Sequence, residues 1–243
     1  MKSGKIDYGA EEYADTKGFP FRTDIEKYTL FNLLGNPKGM RILDAGCGEG
    51  IYSRELIDRG ASFVLGVDGA KDFIELANQK NEGYENQIKY CHSLIQNLKG
   101  SEDMDAVIAS YVLSYPKNLE ETISYCEAIA SHLKKKGKFV GFNNSPFEIF
   151  DGKADYSEYG FEKRMNGAVD GSKVIYLLKG MDNPIVNFYL KPEIYEEAFE
   201  RAGFSDFKWE NVLLDQTTTE PSEYWKKFFY HKTPFIAMTA KKK

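Results

Sequence analysis

Arg41-Ile-Leu-Asp-Ala-Gly-Cys-Gly-Glu-Gly-Ile-Tyr-Ser-Arg-Glu-Leu56 decides the fold, because an apolar run ends in an acid, crosses a glycine-spaced turn and continues in helical spacing. The strand delivers Asp44 to its carboxyl end. Gly46, Gly48 and Gly50 let the backbone turn tightly and approach a ligand, and the first N–H groups of the following helix point back at that turn. Such a unit holds a nucleoside ligand. Phe63-Val-Leu-Gly-Val-Asp68 is a second apolar strand ending in an acid. A carboxylate at that place accepts hydrogen bonds from both hydroxyls of a ribose.

The glycine spacing separates two ligand classes. A dinucleotide fingerprint reads G-x-G-x-x-G and sets a pyrophosphate on the helix N-terminus, whereas here the pattern is Asp-x-Gly-x-Gly-x-Gly with Glu49 inside the turn. Asp44 and Glu49 repel a pyrophosphate and suit a cation that carries an amino acid. The arrangement resembles motif I of the class I methyltransferases that use S-adenosylmethionine, and Asp68 matches the acid that ends their second strand. The resemblance implies an α/β, Rossmann-like fold with a seven-stranded, mostly parallel sheet and helices on both faces. It implies S-adenosylmethionine as cofactor, with Asp44, Gly46, Cys47, Gly48, Asp68 and Ala109 among the positions that hold it.

Composition narrows the partners. A net charge of -5 and a pI near 5.4 argue against nucleic acid as the main partner, which needs a basic surface to displace counterions. No run of ~18 apolar residues is present to cross a membrane. The opening Met1-Lys-Ser-Gly-Lys-Ile-Asp7 lacks the apolar stretch of a signal peptide, so a cytoplasmic protein is expected, as monomer or homodimer. Cys47, Cys91 and Cys126 are odd in number and scattered, which fits small buried residues better than a disulfide framework or a zinc site.

Strands then alternate with helices. Helical spacing covers Thr23 to Leu34, Ile51 to Arg59 up to Gly60, Ala70 to Gln79 and Asn118 to Leu133; strands are expected at Ile88–His92, Met104–Ser110 and Gly137–Phe142. That order implies a parallel sheet whose ligands bind beyond the strands' carboxyl ends. Residues 145–190 break the pattern and read as a substrate-covering insertion after the fifth strand, with a hairpin of Val174–Leu178 and Ile185–Leu190 around Gly180-Met-Asp-Asn-Pro184. Pro192 to Ala202 is a helix, and Phe204–Leu214 and Phe235–Ala240 complete the sheet. A single domain over 1–243 is expected, with 1–38 as an N-terminal helical lid.

The resemblance extends to weaker positions. In the family an acid after the third strand commonly meets the adenine amine; here that place is Ser93, whose hydroxyl or the Leu94 backbone would serve, unless Ser93 is an ordinary turn serine. His92 beside it reads as structural. Tyr8-Gly-Ala-Glu-Glu-Tyr13 and Pro20-Phe21-Arg22 resemble the opening of a subgroup of small-molecule methyltransferases that includes toxoflavin synthase, and similarity continues at Ala109–Leu113 and Asn143–Pro146. Arg22 suits the cofactor's carboxylate, its fork of donors matching two oxygens, or else an ion pair with Glu26 one helical turn on. Tyr8, Tyr13, Tyr111 and Tyr115 are candidates for the reaction centre, since aromatic faces attract a sulfonium and stack on flat rings. Asn143 and Asn144 would orient an acceptor or form a turn. His231 is the one plausible histidine base, in a segment from Gln216 to Pro234 that also brings Tyr224 and Trp225. Nothing suggests a catalytic nucleophile or a metal cluster. The expected activity is methyl transfer to a nitrogen or oxygen of a small planar heterocycle, azapteridine-like in the narrowest version; an RNA- or protein-directed methyltransferase and a non-catalytic S-adenosylmethionine-binding module are the alternatives.

Overall fold

A computed structural model of the chain describes residues 9–101, 103–230 and 233–243. Tyr8 and His231 lie outside the described residues. After α1 (Ala10–Asp15), a π-helical turn over Phe21–Lys27 runs into α2 (Tyr28–Leu34). The expected helix from Thr23 thus begins earlier, and its first part is wound more widely than an α-helix, a form often found at functional sites. β1 (Arg41–Ala45), α3 (Ile51–Asp58), β2 (Phe63–Asp68), α4 (Lys71–Gln79), β3 (Ile88–His92), β4 (Met104–Ser110), α5 (Leu119–His132) and β5 (Leu133–Asn144) follow. Asn118 caps α5 by accepting the Glu121 N–H at 2.9 Å.

Residues past β5 build a second sheet from β6 (Gly152–Tyr156), β7 (Phe161–Met165), β8 (Lys173–Leu178) and β9 (Ile185–Phe188), all antiparallel. The hairpin expected here is β8–β9; β6 and β7 were not foreseen. The chain then returns through α6 (Pro192–Arg201), β10 (Phe204–Glu210), α7 (Ser222–Tyr230) and β11 (Phe235–Lys242).

The main sheet has seven strands in the order β10-β11-β5-β4-β1-β2-β3. β1 lies between β2 and β4, parallel to both, and β11 runs antiparallel to β5 and β10. Its two faces feed different cores. Ile42, Ile108 and Val140 pack with Leu30, Phe31 and Leu56 of α2 and α3, while Leu43, Val107 and Phe139 pack with Ile123, Ile129 and Phe199 of α5 and α6. Burial on both faces makes these strands continuous apolar runs.

One face of the second sheet is buried: Phe161, Lys163 and Met165 of β7, Val174, Tyr176 and Leu178 of β8, and Ile185 and Asn187 of β9. Phe161 lies 4.9 Å from Phe21 of the π-helical turn and 5.4 Å from Phe235 of β11, ring centre to ring centre. The N-terminal segment, the second sheet and the antiparallel strand therefore meet at one end of the main sheet. Among the described residues no helix is long and apolar enough to cross a membrane.

Candidate cofactor and acceptor site

The turn after β1 is glycine by necessity at two places. Gly46 has φ +70° and a Cβ there would lie 2.4 Å from Val112 Cγ2; Gly50 has φ +81° and its Cβ would lie 2.1 Å from Tyr90 Oη. Gly46 and Cys47 donate their N–H groups to the Val67 carbonyl at 2.7 and 3.1 Å, which ties the turn to β2. Asp68 completes the link, accepting the Gly48 N–H at 2.9 Å and the Ala70 N–H at 2.8 Å. A carboxylate has about four acceptor sites, so capacity for two hydroxyls remains. Burial raises the Asp68 pKa, with the Ala70 and Gly48 amides opposing.

Asp44 is 2% exposed and accepts the Ser53 hydroxyl at 2.6 Å. Burial pushes its pKa up to about 6, against the hydrogen bond from Ser53 and the charge of Lys17. A carboxylate in that condition gains from a nearby cation. Glu49 is already paired, with Arg54 at 2.7 Å and Lys80 at 3.3 Å, which corrects the expectation that both acids face the ligand. Cys47 is buried, and burial raises its thiol pKa. Ala109 is buried in the core under α5. Ser93 donates its hydroxyl to the Leu94 carbonyl at 2.9 Å and its N–H to the Asp68 carbonyl at 3.0 Å, so Ser93 and Leu94 stand next to Asp68, with Leu94 38% exposed. His92 contacts the Gly69 carbonyl through Nε2 at 3.2 Å.

Sequence reasoning weighed Glu26 only as a surface partner of Arg22; the structure makes it a buried hub. Its Oε1 accepts from Lys17 Nζ at 3.1 Å, Tyr52 Oη at 2.6 Å and Ser110 Oγ at 2.9 Å. Its Oε2 accepts from Arg22 Nη1 and Tyr111 Oη, both at 3.0 Å. Burial opposes its ionisation, yet Lys17, Arg22 and the Tyr52 hydroxyl outweigh that and hold the pKa down to about 2. This carboxylate joins the N-terminal segment, α3 and the end of β4. Tyr111, just past β4, is held there in a left-handed conformation at φ +62°, a strain that tends to mark functional positions. Arg22 Nη1 also donates to Tyr13 Oη at 3.3 Å, while its buried Nε has no hydrogen-bond partner.

Tyr13, Arg22, Tyr111, Tyr115 and Asn144 come together with Phe21, Tyr176, Leu178, Ile185, Asn187 and Phe235 around one cleft. Asn143 and Asn144 separate, because consecutive strand residues point to opposite faces. Asn144 lines the cleft; Asn143 faces α5 and α6, accepting from Ser114 Oγ and donating to Tyr195 Oη at 3.5 Å. The expectation that both asparagines share the pocket is corrected accordingly. Tyr224 and Trp225 also depart from expectation: Trp225 is 2% exposed and stacks 5.7 Å from Tyr159, and Tyr224 Oη donates to the Glu158 carbonyl at 3.0 Å. They anchor α7 under the second sheet instead of lining the cleft. Tyr176 and Asn187, which do line it, lie on strands that the sequence marked only as a hairpin.

Residues 42–137 match the family model of a methyltransferase domain. Over 103 residues the chain is 33% identical to the mitochondrial ubiquinone biosynthesis O-methyltransferase of Dictyostelium discoideum, a match covering 38% of this chain and 32% of that one. The curated relatives are matched over 28% to 58% of their own length. An S-adenosylmethionine dependent methyltransferase from Mesorhizobium loti superposes with a TM-score of 0.66 at 19% identity, covering 93% of this chain and 100% of that one. Burkholderia thailandensis 1,6-didemethyltoxoflavin-N1-methyltransferase, solved with 1,6-didemethyltoxoflavin and S-adenosylhomocysteine bound, superposes with a TM-score of 0.55 at 16% identity over 88% of this chain and 74% of that one. At these identities the structural likenesses establish the fold.

Proposed function

We infer that this chain, which belongs to the class I methyltransferases that use S-adenosylmethionine, transfers a methyl group to a nitrogen or oxygen of a small, flat acceptor. The observation that carries the acceptor class is the cleft. It is walled by the rings of Tyr13, Phe21, Tyr111, Tyr115, Tyr176 and Phe235, and it adjoins the end of β4, next to the glycine turn. A cleft lined by aromatic rings suits a flat ring system. The bound ring in the Burkholderia thailandensis enzyme supports a heterocycle of that kind, azapteridine-like in the narrowest version.

The residues fit the cofactor. Asp68 has acceptor capacity for the ribose, Ser93 and Leu94 stand beside it for the adenine, and Asp44 is a buried carboxylate short of a cation. Arg22, through its unpartnered Nε, is the donor for a carboxylate at the cleft. When bound, S-adenosylmethionine supplies a methyl group on a positively charged sulfur that a nucleophile displaces. The chain's share is then positional: Tyr111 and Tyr115 offer π-faces to positive charge, the second sheet and the N-terminal segment keep water from the cleft, and Asn144 orients the acceptor. Among the described residues the cleft is lined by neither carboxylate nor histidine.

Incubating the protein with methyl-labelled S-adenosylmethionine and a metabolite extract, then with RNA and protein fractions of the same lysate, tests this. Label appearing in a small heterocycle is the expected result. Label confined to RNA or protein, or found in no fraction although the cofactor binds, would overturn the small-acceptor reading.

A further inference from the structure

Asn187, on β9, is 3% exposed and lines the cleft, and its Nδ2 has no hydrogen-bond partner. Its Oδ1 is already engaged, accepting from Asn144 Nδ2 at 3.0 Å. Asn144 Oδ1 in turn accepts from Tyr176 Oη at 2.5 Å. An amide turned end for end exchanges its donor and acceptor, so a pair of asparagines alone has two equivalent arrangements. The tyrosine removes that equivalence. Burial keeps the Tyr176 hydroxyl protonated, and its single proton has to be accepted by Asn144; turning both amides would strand that proton and set an oxygen of Asn187 toward the cleft. The relay therefore runs one way, from Tyr176 through Asn144 to Asn187, and ends on an unmet N–H donor. Arg22, which also lines the cleft, contributes a second unmet donor, its buried Nε.

We propose that Asn187 is a specificity-determining residue that donates a hydrogen bond to a ring carbonyl oxygen of the acceptor, and that Tyr176, acting through Asn144, is the positioning residue that fixes the sense of that bond. This rests on the assignment of the cleft as the acceptor site. A ring that offers an N–H or O–H at that point meets donor with donor and leaves a buried amide unpaired, which lowers affinity by roughly tenfold or more. The chain thus selects one tautomer: lactam over lactim, ring carbonyl over ring amine.

Two flat probes of one frame test this, lumazine with its ring carbonyls and diaminopteridine with amino groups in their place, titrated calorimetrically into protein saturated with S-adenosylhomocysteine. Lumazine is expected to bind about tenfold or more tightly than diaminopteridine. Asn187→Asp, which keeps the shape but presents only acceptors, reverses the order. Tyr176→Phe, which keeps the ring but loses the deciding proton, narrows the preference to within about threefold. Affinity for S-adenosylhomocysteine stays level in both variants, which shows that they fold. Equal affinities in the unaltered protein, an order unchanged in Asn187→Asp, or binding of neither ring up to about 1 mM overturns the proposal. Failure of the unaltered protein to bind S-adenosylhomocysteine at all is a separate result, which removes the cofactor assignment and this proposal with it.

Discussion

Asp44→Asn is expected to make the ligand-free protein more stable and the cofactor complex weaker. Asp44 is buried, and its pKa stands at about 6 against an ordinary 3.8. The difference corresponds to about 3 kcal/mol that the empty protein spends on holding this group ionised at neutral pH. For an acid whose pKa is raised by folding, the favourable contribution is complete below 3.8 and is lost as pH rises through about 6. Removing the charge while keeping the shape, and the Ser53 hydrogen bond, should therefore raise the melting temperature at pH ~7.5 by about 6–12 °C, with the gain shrinking toward pH ~5. Binding moves the other way. A cationic cofactor needs the ionised form, so the affinity of the unaltered protein for S-adenosylmethionine should fall about tenfold per pH unit below pH ~6, and Asp44→Asn should bind more weakly without that slope. Scanning calorimetry and isothermal titration over this range measure both. A flat affinity profile in the unaltered protein, or the same slope persisting in Asp44→Asn, refutes the assignment; in the second case Asp68, whose pKa burial also raises, becomes the titrating group.

Glu26→Gln should be destabilising by about 3–5 kcal/mol, because the buried Arg22 and the partly buried Lys17 are left without their shared counter-charge. The pKa held at about 2 against an ordinary 4.5 means that the stabilisation is present above 4.5 and fades as pH falls toward 2; denaturant melts at pH ~7 and pH ~3 should show the variant's deficit shrinking in acid, and an equal deficit at both would contradict the hub. Tyr115→Ala should lower turnover or acceptor affinity more than tenfold, about 1.4 kcal/mol, while the dissociation constant for S-adenosylhomocysteine changes less than about threefold. Intact methylation, or lost cofactor binding, would take Tyr115 out of the acceptor wall.

The parts of the fold that were legible are those in which local chemistry and tertiary structure agree. Strands Ile88–His92 and Met104–Ser110 fall where the apolar runs put them, and the turn at Gly46–Gly50 was legible because glycine has few other reasons to recur at that spacing. β7 was not, because Lys163 sits on its buried face between Phe161 and Met165, paired with Glu148 and the Pro234 carbonyl; a buried lysine erases the alternation that marks a strand. α7 does carry helical spacing, with Trp225 and Phe228 buried and Glu223, Lys226 and Lys227 exposed, so that helix was legible and went unread. At the site, Tyr111, Tyr115 and Asn144 stand near strand ends, where the sequence reading put them, and Tyr13 was singled out from the N-terminal stretch that forms α1. Glu26 was not, since an i,i+4 partner of Arg22 reads the same whether the pair is on the surface or buried, and only the packing of α3 and β4 against the N-terminal segment decides it. Asn187 carried no signal, because its role depends on which atoms of Tyr176 and Asn144 remain for it.

The central claim is that the glycine turn and Asp68 hold an adenosyl cofactor and not a dinucleotide. Calorimetric titration of the unaltered protein and of Asp68→Ala with S-adenosylhomocysteine, with NAD titrated alongside, tests it most directly. The account predicts micromolar affinity, about 8 kcal/mol, for the adenosyl ligand, no measurable binding of NAD, and a loss of ~1–3 kcal/mol in a folded Asp68→Ala. Tighter binding of NAD, or an affinity for S-adenosylhomocysteine that Asp68→Ala leaves unchanged, would contradict it.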